Sequence, residues 1–294
     1  MNHRERVKAI LHYQDYDRMP IVHFGYWNET LDKWASEGHI TAQQANDWAD
    51  GNSVDHAIAQ QLGFDFNWAN HFTPRTGLFP AFEKTTVEQL PDGARKVRNE
   101  DGVIVLEKDA ASGIPAEIDH LLKTRADWEQ HYRPRLEYQI ERITQTTIHT
   151  PTESLPYHEG GQAYLQAGDW DYPYGLFCGS LYGKIRDWVG LVGTAYIQAD
   201  DPILFDEMIE LVGELCYRTT EYTLSQFDHF DFAHFWEDIC FNKGPLLNPS
   251  VFQAKVAPHY QRITELVRSH GIDIVSVDCD GKIDKLVPIW LENG

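Results

Sequence analysis

Short apolar runs alternate with longer segments of helical periodicity along most of this chain, and that alternation constrains the fold more than any other feature. Strands separated by helix-length crossovers pair in parallel, because only a crossover that long can bring the next strand back alongside in the same direction. Residues 20–24, 63–68, 162–167, 230–235 and 272–277 are the five candidate strands. Helices are expected over the amphipathic opening segment, from Asn28 to about Asp50, and over residues 126–145. Three more are expected, from Asp201, from Asn248-Pro249 to Gly271, and over 282–293. The best defined begins at Asp201: its carboxylate can cap, Pro202 suits the first helical position, and Leu204, Met208, Leu211, Leu215 and Tyr222 recur at helical spacing.

One stretch breaks the pattern. Between residues 81 and 108, three extended runs are separated by Pro91-Asp92-Gly93 and Glu100-Asp101-Gly102, strong turn signals that predict an antiparallel meander inserted after the second strand. Residues 168–182 read as an aromatic and glycine-rich loop. Periodicity fits a barrel and a doubly wound sheet equally. The turn after the first strand is Gly25-Tyr26-Trp27-Asn28, which lacks the glycine fingerprint of dinucleotide-binding folds.

Composition narrows the classes of partner. With 45 acidic against 25 basic residues the net charge is −20, a surface that repels phosphate backbones and anionic headgroups, so nucleic-acid and membrane binding are disfavoured. No apolar stretch reaches the length of a membrane span, and no apolar core follows the charges of the N-terminal segment as it would in a signal peptide. Cys178, Cys216, Cys240 and Cys279 are scattered, a spacing that suits reduced thiols in a cytoplasmic protein. A chain of 294 residues, 42% of them hydrophobic, is enough for one large domain.

Four segments together resemble the uroporphyrinogen decarboxylase superfamily. They are R-E-R-V-K-A-I-L with D-Y-D-R-M-P-I (residues 4–11 and 15–21), and L-Y-G-K-I-R-D-W-V-G ahead of D-D-P-I-L-F-D-E-M-I-E (181–190 and 200–210). E-D-I-C-F-N-K-G-P-L-L-N-P-S-V-F (237–252) resembles the family's acidic-pair segment, and D-C-D-G (278–281) its strand-end loop. The resemblance implies an α/β fold of the TIM-type (β/α)8 barrel class, one domain over residues 1–294 with the 81–108 meander as an insertion. It further implies a C-terminally incomplete barrel, since relatives continue for at least two more βα units.

The superfamily's two main activities are decarboxylation of uroporphyrinogen and methyl transfer involving corrinoid proteins. Decarboxylases place arginines after the first strand to hold the substrate's carboxylates; here residues 20–29 contain none, and Glu29 stands among them. Methyl transfer, acting with a corrinoid on a partner protein or with a methylated small molecule, is therefore the leading expectation. Decarboxylation of uroporphyrinogen or a related acid is the alternative, and a non-catalytic binding protein is a third. Where zinc-dependent relatives carry His-x-Cys, this chain has Asp278, Cys279 and Asp280; loss of the softer donors makes zinc an unfavoured cofactor, with those three as possible ligands.

The expected catalytic groups are Glu237 and Asp280, supported by His234 and Asp238, all at the ends of late strands where barrel sites lie. Neighbouring carboxylates there can divide into acid and base, and the competing reading is that they cap helices. His23, Tyr26, Trp27, Asn67 and Tyr164 are the expected substrate-binding residues, and Trp68, Trp170, Tyr172 and Tyr174 are further candidates for an aromatic lining. For His23 and His234 the competing reading is a core histidine. A homodimer is a further expectation that no particular residue carries.

Overall fold

A computed structural model of the chain describes residues 1–108 and 115–294. The opening helix, His3–Leu11, is closed by a capping box in which Asn2 accepts from the Glu5 N–H and Glu5 accepts from the Asn2 N–H. Arg4 of this helix is fastened to the buried Asp231, Nε to carboxylate at 2.8 and 2.9 Å.

Strand β1 (Val22–His23) pairs in parallel with β2 (Phe66–Asn67), His23 opposite Asn67. The connection is not one helix to Asp50 but three: Asn28–Ser36, Ala42–Asp47 and Ser53–Leu62. Thr41 starts the second through a capping box with Gln44, and Asn52 caps the third, which was not expected although its Val54, Ile58 and Leu62 recur at four-residue spacing. Three residues beyond β2 lies β3 (His71–Phe72), followed by the meander of β4 (Thr85–Gln89), β5 (Arg95–Arg98), β6 (Val103–Glu107) and β7 (Ala116–His120). The meander is antiparallel as expected, with a fourth strand beyond the three foreseen.

The expected helix over 126–145 is broken into Arg125–Asp127, a π turn at Trp128–Tyr132, a 3-10 turn at Arg133–Leu136 and a last turn at Glu141–Thr144. Pro134 can donate no backbone hydrogen bond and sits at the start of the 3-10 turn. A short hairpin, β8 (Thr147–His149) with β9 (Ser154–Pro156), follows. Residues 162–167, expected as a strand, are helical: Gln162–Ala167 ends on Gly168 at φ 60, a left-handed helix stop. A six-residue run is too short for periodicity to separate the two states. The strand lies downstream, at β10 (Gly175–Gly179), in the stretch that read as loop.

Helix Gly183–Asp200, kinked at Gly190, and helix Pro202–Gln226, capped by Asp201, lead to β11 (Phe232–Trp236). The small hairpin β12 (Cys240–Phe241) and β13 (Gly244–Pro245) precedes the helical segment that Asn248 caps, which ends in helix Ala257–Ser269. Then come β14 (Val275–Asp278) and helix Val287–Glu292, shorter than expected and begun at Leu286 without a side-chain cap, so Asp280 does not cap it.

The central sheet runs β14-β11-β10-β3, with every pair parallel. Along β11 the faces alternate. Ala233 and Phe235 are buried, with the Phe235 ring 4.9 Å from Tyr260 of helix Ala257–Ser269, while His234 and Trp236 face the opposite side. The architecture is thus mixed α/β with parallel strands and flanking helices. The (β/α)8-type barrel, expected to be C-terminally incomplete, is not shown: among the described residues the parallel strands form one pair and one four-stranded sheet. Among the described residues no helix is long and apolar enough to cross a membrane.

Candidate functional site

A cavity of about 480 Å³ opens over the carboxyl-terminal halves of the parallel strands. His71 reaches it from β3, Phe177 from β10, His234 and Trp236 from β11, and Asp278 from β14; Asp50, Asn70 and Lys184 come from the connecting loops and the start of the following helix. Strand register brings these groups together: Phe177 pairs with His234, His234 with Ser276, and Trp236 with Asp278. Glycine at position 175 is required by packing, since a Cβ there would stand 2.4 Å from the Phe232 ring.

Two histidines form the centre of the site. The His71 and His234 rings stack with centroids 5.1 Å apart and planes 24° from parallel. Each is held by a hydroxyl: His71 Nδ1 lies 2.8 Å from Thr73 Oγ1, and His234 Nδ1 lies 2.8 Å from Ser276 Oγ. Thr73 in turn donates to the His71 carbonyl and Ser276 to the Ala233 carbonyl, each at 3.4 Å. With a carbonyl in reach of each hydroxyl hydrogen, each Nδ1 can act as the donor, the tautomer that leaves a lone pair on Nε2. Burial pushes the His71 pKa down to about 3, with further lowering by the neighbouring His234, and burial brings His234 down to about 4. Both imidazoles are neutral at pH 7.

The charges around them are uneven. Lys184 Nζ sits 5.3 Å from the centre of the Trp236 ring and is bound by Asp101 at 3.1 Å and Asp187 at 3.2 Å. Burial would lower the pKa of this ammonium, but the two carboxylates outweigh it and the net shift is upward. Asp50 and Asp278 also line the cavity, and burial raises the pKa of both, Asp278 further through Asp280 and Asp238.

Of the residues expected from the sequence, His234 and Asp278 reach this cavity, and so does Tyr174. Glu237 does not. It is fully buried, accepting from the Leu181, Tyr182 and Gly183 N–H groups and, at 2.7 Å, from the Tyr260 hydroxyl. Asp238 and Asp280 line a separate groove of about 390 Å³, where Arg186 holds Asp238 at 2.9 Å. Cys279 is half-buried with its thiol pKa raised by burial, unlike an activated thiol. Among the described residues no three His, Cys, Asp or Glu side chains are arranged to hold a metal ion.

His23 is buried behind the cavity, stacked on Tyr26 at 4.7 Å with its Nε2 3.8 Å from Asp55. Asn67 bridges Asp50 at 3.3 Å and Asp55 at 2.9 Å. Trp27 is 59% exposed, Trp68 stacks on Phe232, and Tyr164 packs with Trp170 and Tyr172 along a surface groove. Residues 168–182 split accordingly, Trp170 and Tyr172 packing the loop while Tyr174 reaches the cavity.

His71, Asp50, Asn70 and Lys184 were missed. Lys184 stands inside the L-Y-G-K-I-R-D-W-V-G segment, and His71 directly precedes Phe72-Thr73-Pro74, a strand-end signature too short to register as a strand.

No family model matches this sequence, and no curated protein matches it. Among solved structures the chain is similar to a methyltransferase from Methanosarcina mazei, over 100% of this chain and 74% of that one, with a TM-score of 0.50 and 10% identity. The likeness is one of fold.

Proposed function

We propose that this chain is a methyltransferase-like enzyme of the uroporphyrinogen decarboxylase superfamily, a single domain with the meander as an insertion. In this reading it moves a methyl group between a small molecule in the His71–His234 cavity and a corrinoid carried by a partner protein. The observation that carries the reading is the pair of neutral imidazoles, each with a free Nε2, in an aromatic-walled cavity at the strand ends. The sequence motifs and the fold likeness to a methyltransferase support it.

Methyl transfer to a heteroatom requires that its proton leave as the new C–X bond forms. His234 Nε2 is the acceptor for that proton, and Ser276 holds the ring so that the lone pair stays available. The adjoining His71 ring cannot also be charged at that stage, which favours rapid loss of the proton. Apolar walls keep water from the methyl group. Phe24, 55% exposed and lining the cavity, and the exposed Trp27 three residues on offer flat apolar contacts that fit the face of a corrin ring. The corrinoid, when docked, supplies or receives the methyl group.

Porphyrinogen decarboxylation draws no support from the site. The cavity's lysine is already bound by two aspartates, and Asp50 and Asp278 would repel a polycarboxylate. The test is loss of methylcobalamin absorbance in the presence of small thiol, amine and alcohol acceptors. Turnover that falls about 100-fold in His234→Ala is expected. A correctly folded protein that turns over none of these acceptors, alone or with a corrinoid protein, overturns the proposal.

A further inference from the structure

The charge in the cavity is unbalanced in a way that the neutral histidines do not explain. Lys184 is spoken for by Asp101 and Asp187. Asp50 and Asp278 face the same space, and among the described residues neither is in an ion pair with a cation. Two carboxylates that face one cavity without a counter-ion repel each other unless something positive joins them. Beside Asp50 on the same wall is Asn70, only 5% exposed, whose amide Nδ2 has no hydrogen-bond partner. An orphaned buried donor of that kind calls for an acceptor atom on whatever fills the cavity.

We infer that the cavity binds a small organic ammonium ion that also carries an oxygen acceptor, its charge facing Asp50 and Asp278 and its oxygen meeting Asn70 Nδ2. The inference rests on the proposed methyl-transfer site and names its substrate class: the oxygen carries the X–H that is methylated, its proton passing to His234, because the ammonium nitrogen has no lone pair. Neutral imidazoles at His71 and His234 suit such a guest, because protonated rings would repel it. The aromatic walls at Phe24, Phe177 and Trp236 suit its alkyl groups.

Calorimetric titration with three probes tests this without any methyl acceptor. Choline carries both charge and oxygen, tetramethylammonium lacks the oxygen, and neohexanol replaces the nitrogen of choline by carbon. Choline should bind at least about tenfold more tightly than either of the others. Asp278→Asn and Asp50→Asn should each weaken choline about tenfold and leave neohexanol unchanged, and Asn70→Ala should erase the advantage of choline over tetramethylammonium. Thermal melts of the three variants confirm that each is folded, and any one of the two aspartate variants suffices. Equal affinity for choline and neohexanol, or no choline binding by the unaltered chain, overturns the inference. Choline binding without methyl transfer would sink the proposed reaction and leave the ligand class standing; methyl transfer with only neutral guests would do the reverse.

Discussion

His234 Nδ1 lies 2.8 Å from the Ser276 hydroxyl on the neighbouring strand, and with that hydroxyl turned to the Ala233 carbonyl the contact favours the proton on Nδ1. Replacing Ser276 by Ala removes the acceptor and leaves a buried N–H unpaired, a loss of about 1–2 kcal/mol in stability. The ring is then free to adopt the other tautomer. Proton NMR of the imidazole should show the Nδ1–H signal of the unaltered protein vanish in the variant, and turnover should fall with little change in KM.

Acid should destabilise the fold through the same histidines. Burial lowers the His234 pKa from its ordinary 6.5 to about 4, so the unfolded chain takes up the proton first as pH falls. The stability that the neutral ring provides is complete above pH 6.5 and is lost progressively down to about 4. This amounts to about 3 kcal/mol from His234, and His71, lowered to about 3, acts in the same direction. Denaturant midpoints measured from pH 8 to pH 4 should drop across that window. The drop should shrink in His234→Gln; an unchanged slope would contradict it.

Glu237 is an anchor for a loop. Its carboxylate gathers three successive N–H groups at residues 181–183 and the Tyr260 hydroxyl, tying the start of helix Gly183–Asp200 to β11. Glu237→Ala leaves those donors buried and unpaired, at a cost of about 3 kcal/mol or more by urea unfolding. Because Lys184 is the next residue, choline affinity should also change. Glu237→Gln, which keeps one acceptor oxygen, should recover part of both.

Gly175→Ala tests the packing under the cavity. The added methyl would meet the Phe232 ring at 2.4 Å, and overpacking of this kind costs about 1–3 kcal/mol. Pairing it with Phe232→Leu should return part of the loss, so that the double variant is more stable than the sum of the two single changes. Strict additivity would rule the contact out.

Much of this fold can be read from residue order, where the signal is chemical and local. Asp201 with Pro202 starts its helix where expected, and the Asp-Gly turns at 92–93 and 101–102 place the meander. The errors fall where a local signal was too short or was overridden. Gln162–Ala167 looks extended but is stopped as a helix by Gly168, and β10 hides in a stretch whose glycines read as loop although Phe232 demands one of them. For the site, type and position pointed to the strand ends, and His234 and Asp278 lie there. What residue order could not convey is direction. Glu237, next after β11, points into a ring of backbone amides, whereas His71, on a two-residue strand, faces the cavity.

Asp101, which holds the cavity's lysine, belongs to the turn between two strands of the meander, and Trp188 Nε1 and the Tyr132 hydroxyl fasten that turn in place. An outlying hairpin therefore sets the electrical balance inside the pocket. Editing that turn would leave Lys184 to Asp187 alone and weaken the cavity's pull on positive guests, so the choice of substrate can be tuned without any change in the residues that surround it.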